Sequence, residues 1–281
     1  MTSSSALAFT PRLIQQLQIE DEASFRPVGL YADLKEVLRR SAYRFRVLPK
    51  ALAGRWDRAL LLNLTFWGAE AGGDVLVDDQ LPADVVTHAA WHYLASQALP
   101  AAPGQAPSPE ALFLGEAIAS AFDVYLVGRL LHQSPDSTFL ETQVPAMADV
   151  ADAAGLSSAD FDALLQDVAR EPERAFADLR TLLYDATLAL WSCDSMETAM
   201  TALSRFDGHR FAPLLHRYEL SNWVLYARAY AHKSATPDEQ AATLDKALRE
   251  AADPVQWLTT AWVLPALGRP EAEATKRPTM H

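Results

Sequence analysis

The alternation of apolar and polar positions changes period along the chain. In Asp33 to Ala42 (DLKEVLRRSA), Leu34, Val37 and Leu38 fall on one face and Lys35, Arg39 and Arg40 elsewhere, which predicts an amphipathic helix. Tyr43 to Leu48 (YRFRVL) then alternates, with Tyr43, Phe45 and Val47 on one side and Arg44 and Arg46 on the other, as in a half-buried strand. Ala59 to Trp67 (ALLLNLTFW) is bulky and apolar enough for a central strand, and Gly72-Gly73 precedes a short strand at Asp74 to Asp79. From Pro82 the period is helical again. Ala83 to Leu99 contains no Gly or Pro, Pro100 ends it, and a Pro-rich connector (LPAAPGQAPSPE) leads to a second long helix over Ala111 to His132 that tolerates Gly115 and Gly128.

Beyond about Val144 strand patterns disappear. About five or six helices are expected there, with starts marked by Ser157 and Asp160 and by Thr236-Pro237 with Glu239 in capping-box position. The predicted class is α+β, predominantly helical. Residues 1–145 form a unit of helix, three strands and two long helices, residues 146–267 an all-α unit, and 268–281 (GRPEAEATKRPTMH) a flexible tail. No repeat of fixed period is present.

Composition narrows the function. The chain has 281 residues, 50% hydrophobic and 21% charged, as a globular protein does. Its 24 Lys and Arg against 36 Asp and Glu give a net charge of −12, a field that disfavours nucleic acid and anionic membrane as partners. The basic stretch from Lys35 to Arg58 therefore reads as solvated helix and strand faces. No apolar run approaches the roughly 18 to 20 residues that cross a bilayer, and the N-terminus lacks a basic segment followed by an apolar core, so a soluble, cytoplasmic protein is expected. Cys193 is the single cysteine, which excludes an internal disulfide and a Cys-rich zinc site and reads as a small core residue. Any metal site must use His and carboxylates. There is no phosphate loop and no nucleophile elbow.

One constellation carries chemistry. His88 and His92 in THAAWHYL lie four residues apart, so one face of a helix presents both imidazoles to a single metal ion. On the next predicted helix, Glu116, Ser120 and Asp123 share a face at spacings of four and seven. With these residues in this order, the segment from about 33 to 132 resembles the zincin metallopeptidases, specifically the gluzincin group, in which two His of one helix and a Glu of the next hold zinc.

The resemblance implies zinc bound by His88, His92 and Glu116, with Ser120 or Asp123 orienting a ligand. It also implies an oxyanion or substrate contact from the C-terminal helical part, where His209, His216 and Tyr218 resemble candidates by position. The departure is at Ala89: the family's motif is HExxH and its Glu polarises the zinc-bound water, whereas this chain reads HAAWH. A methyl group accepts no proton, so no catalytic residue is assigned and standard peptidase activity is not expected. Glu70, Asp74, Asp78 and Asp79 near the preceding strands read as solvated charges.

What the resemblance implies is a degenerate metallopeptidase that binds a peptide or protein partner, or that carries non-standard metal-dependent chemistry. Two alternatives stay open. One is an α-rich interaction protein without metal; the other is a helical metal-dependent enzyme, since the His pair also resembles that of DinB-type bundles. The oligomeric state is not legible in the sequence.

Overall fold

The computed structural model describes residues 9–50, 75–232 and 237–269. The predicted strand at Ala59–Trp67, together with Glu70 and Asp74, lies outside them. The fold is α+β and predominantly helical. Strands β1 (Thr10–Leu13), β3 (Arg44–Val47) and β4 (Val75–Leu76) form one small sheet, antiparallel between β1 and β3 and parallel between β3 and β4. Strands β2 (Gln18–Glu20) and β5 (Gln80–Pro82) pair in parallel. The alternation in β3 is realised: Phe45 and Val47 are buried, while Arg44 is exposed. Strands β1, β2 and β5 are not foreshadowed by periodicity because three or four residues are too few to show it.

A four-residue helix, α1 (Glu22–Phe25), precedes α2 (Gly29–Arg40), which starts four residues before the predicted helix because Leu30 and Tyr31 also pack into the core. Helix α2 ends in a Schellman turn. Tyr43 N–H donates to Leu38 O at 3.0 Å and Ala42 N–H to Arg39 O at 3.3 Å, with Ala42 held at φ 51° where glycine is usual.

Two long helices follow. Helix α3 (Ala83–Ala98) starts from Pro82, and α4 (Pro109–Gln133) from Ser108, whose hydroxyl accepts from Ala111 N–H at 3.0 Å. The expectation that no apolar run is long enough to cross a membrane needs correction. Helix α4 is that long and that apolar, with a mean hydropathy of 1.5 over its best window, but 89% of that window is buried within the protein. It is a helix apolar all round because it is surrounded.

Around α4 pack α5 (Thr138–Ala153), α6 (Ser158–Arg170), α7 (Pro172–Trp191), α9 (Leu220–Tyr230) and α10 (Glu239–Glu250), with α8 (Met196–Leu203) against α7. Helix α5 runs through residue 145, and one continuous core extends from Ile14 to Leu267. Ser157 caps α6 as expected, accepting from Asp160 N–H at 3.2 Å. The cap of α10 is Asp238, whose carboxylate accepts from Gln240 and Ala241 N–H at 2.9 and 3.0 Å, while Thr236 of the expected capping box lies outside the described residues. Arg180, 1% exposed, pairs with Asp245, and Arg249 bridges Asp245 and Asp185, which fastens α10 to α7. Cys193 is half-buried, its thiol directed at Ala189 O.

The chain then continues through α11 (Pro254–Leu258), a π-turn at Thr259–Val263 and α12 (Leu264–Ala266). The first residues of the predicted tail are anchored, since Arg269 Nη1 lies 2.9 Å from Asp33 Oδ1 and its N–H donates to Leu264 O.

Two glycine-related positions give opposite expectations. A Cβ on Gly128 would lie 2.5 Å from the backbone oxygen of Val168, so Gly128→Ala should destabilise by about 1 to 3 kcal/mol by forcing α4 from α6, whereas Gly208→Ala, with nothing within 4 Å, should be neutral. Ala42→Gly should stabilise by about 0.5 to 1 kcal/mol by relieving the left-handed conformation. Urea unfolding midpoints check all three.

Candidate metal centre

Helices α3 and α4 approach closely where Gly115 faces Ala95; a Cβ on Gly115 would sit 3.3 Å from that of Ala95. Across this contact the helices run antiparallel, so a four-residue rhythm on one meets the same rhythm on the other. His92 Nε2 lies 3.0 Å from Glu116 Oε2, and His88 Nε2 lies 3.8 Å from Glu116 Oε1. One turn further, His88 Nδ1 lies 3.6 Å from Asp123 Oδ2. The imidazole centroids are 4.9 Å apart.

His88, His92 and Glu116 each offer a ligand atom, and the three atoms lie within 4.8 Å of one another. Glu116 is 5% exposed, and its Oε1 accepts from the Ser120 hydroxyl at 3.3 Å. Its buried Oε2 faces His92 Nε2 at 3.0 Å. Burial alone would raise the Glu116 carboxyl, but the imidazoles of His92 and His88 and the Ser120 hydroxyl outweigh it and hold the group below its ordinary range.

These distances suit a cation. With zinc–ligand bonds of about 2.0 to 2.2 Å in tetrahedral geometry, neighbouring ligand atoms stand about 3.3 Å apart, between the two separations seen here. Two imidazoles and a carboxylate form a donor set for a borderline divalent metal, and nothing in it selects one metal over another.

The structure adds a carboxylate that sequence reasoning missed. Asp84, four residues before His88, extends the seam of α3 towards Asp123, and its carboxyl is pushed up to about 6 by burial and then by the charge of Asp123. The spacing 84-88-92 was the available signal. Ala89 is completely buried, so the position that carries the base in HExxH opens here onto packed core.

Of the C-terminal candidates, Tyr218 sits at the end of a 3-10 helix (Ala212–Tyr218) within the field of Asp123, and burial raises its hydroxyl well above the ordinary value. His209 is placed elsewhere, beside Asp178 and Arg210, with burial lowering its pKa and its Nδ1 accepting from Phe211 N–H. His216 is exposed on the same 3-10 helix as Tyr218. Asp79 pairs with Arg12 at 3.2 Å and Asp78 accepts from Gln80 N–H, so both serve the strands. Of the described cations of the basic stretch, Lys35 pairs with Glu22, and Arg39 and Arg40 share Glu36.

No family model matches this chain, and the search of curated proteins and of solved structures yields no match.

Asp84 gives a pH dependence whose sign is fixed. An aspartate titrates near about 3.9 when unfolded, so a folded value of about 6 means stability that is complete below pH 4 and lost as pH rises through 6. Asp84→Asn should therefore be more stable than wild type by about 2 kcal/mol at pH 7 to 8, with the difference shrinking towards pH 4. Thermal melts with a chelator present check this, and a pH-independent difference would refute it.

Proposed function

We propose that this chain is a zincin-like metal-binding protein that holds a divalent cation, zinc in the first instance, through His88, His92 and Glu116. The observation supporting it is the convergence of the three donor atoms within 4.8 Å from two otherwise apolar helices. In such a helix pair, burying a carboxylate and two imidazoles on one seam is costly unless something binds there.

The remaining residues of the seam suit this reading. With Asp123 beside Nδ1 of His88, the ring is held so that Nε2 turns towards Glu116. Ser120 restrains the Glu116 carboxylate. A zinc ion in this position supplies a Lewis acid. What is missing is the proton acceptor beside it, because Ala89 is a methyl group sealed in the core. The function that follows is recognition of a peptide or protein partner at a metal centre, or metal-dependent chemistry in which the substrate brings its own base.

The experiment is metal content by mass spectrometry on purified, untagged protein. About one zinc per chain is expected in wild type, none in His88→Ala/His92→Ala, and a 10- to 100-fold weaker affinity in Asp123→Asn by chelator competition. Wild-type protein that carries no metal and takes up none on adding zinc would overturn the reading and leave an interaction protein.

A further inference from the structure

The far side of α3 carries a cavity of about 410 Å³, open on one side, between α2, the end of α3 and the C-terminal helix. Its walls include Tyr93 and Gln97 of α3, Arg40 of α2, and Ala261 and Trp262 of the π-turn. The metal ligands are not among them. The volume is that of a small-molecule site, in which apolar walls carry a few oriented polar groups.

Two features make this more than loose packing. The first is the π-turn itself, a rare geometry that recurs at functional sites. Leu264 N–H donates to Thr259 O, five residues back. Pro265 has no N–H for the carbonyl of Ala261, and the hydroxyls of Thr259 and Thr260 donate to the carbonyls of Val255 and Gln256 at 2.8 and 3.0 Å. The extra residue in the turn sets Trp262 against Trp91, with centroids 6.5 Å apart, and leaves only the methyl of Ala261 where a larger side chain would close the space.

The second is charge. Arg40 Nε is held by Glu36 at 2.8 Å and Nη1 donates to Leu267 O, which fixes the guanidinium at the cavity while Nη2 makes no hydrogen bond among the described residues. Glu36 is shared between Arg39 and Arg40, so it only partly neutralises the Arg40 guanidinium.

We infer that this cavity is a binding site for a small aromatic carboxylate, its ring against Tyr93 and Trp262 and its carboxylate on Arg40. Aromatic walls favour a flat apolar body, and a fixed guanidinium favours a carboxylate. The site is independent of the metal reading, because it shares a helix with the His pair but none of its donors.

The test is calorimetric titration of the full chain with 1-naphthoate and its neutral analogue 1-naphthylmethanol. Saturable binding of one naphthoate is expected. The alcohol, and naphthoate on Arg40→Met, should each bind about tenfold more weakly. Two variants that fill the cavity from different walls, Ala261→Leu and Ala98→Phe, should each lose at least tenfold in affinity, with circular dichroism verifying that each is folded. His88→Ala/His92→Ala should bind naphthoate as wild type does. Absence of saturable binding, equal binding of the alcohol, or retained binding in both folded filler variants would overturn the inference. Loss of binding in the double His variant would do the same, by assigning the carboxylate to the metal ligands instead.

Discussion

The close contact between α3 and α4 at Ala95 and Gly115 is the constraint on which the rest depends. Neither residue has bulk to hold the helices apart, so side chains one turn away on either helix meet directly. His92 reaches Glu116 at 3.0 Å for that reason. The antiparallel course then repeats the meeting at each turn, His88 between Glu116 and Asp123, and Asp84 beyond it near Asp123. The helices further out, α6 and α7 above all, enclose α4, on which Glu116 is buried.

Burial makes a carboxylate expensive unless a partner offsets it. An isolated buried carboxylate tends to take up a proton, and Asp84 shows that tendency, whereas Glu116 is held ionised by the imidazoles beside it. The two carboxylates lie along one seam and shift in opposite directions because Glu116 faces two imidazoles, while Asp84 faces another acid. Glu116 is thus the carboxylate suited to a cation, and Asp123 is divided between orienting His88 and repelling Asp84.

The sequence disclosed this site unevenly, for physical reasons. His88, His92 and Glu116 were legible because a four-residue spacing within a long uninterrupted helix fixes a common face without reference to tertiary structure. Asp84 was not, because an acid in the first turn of a helix is what the helix dipole favours anyway, and that local explanation masks a long-range partner. Ala89 read as a missing base, and its burial in the core was not legible, since a helix that buries most of its circumference gives periodicity little to distinguish its faces. The small strands were partly invisible: β3 alternates over enough residues to be read, while β2 and β5 exist through pairing with each other. The cap at Asp238 has a tertiary partner that no local pattern announces, since Ser108 donates to its carboxylate from the far end of the connector, at 2.6 Å.

Helix α3 consequently serves two neighbourhoods. Its polar seam meets α4, and its opposite side, through Tyr93 and Gln97, faces α2 and the π-turn. Trp91 lies between them, completely buried, touching Phe122 of α4 at 5.3 Å and Trp262 of the π-turn at 6.5 Å. Trp91 therefore belongs to the packing of both neighbourhoods, while the metal donors and the cavity walls have no residue in common.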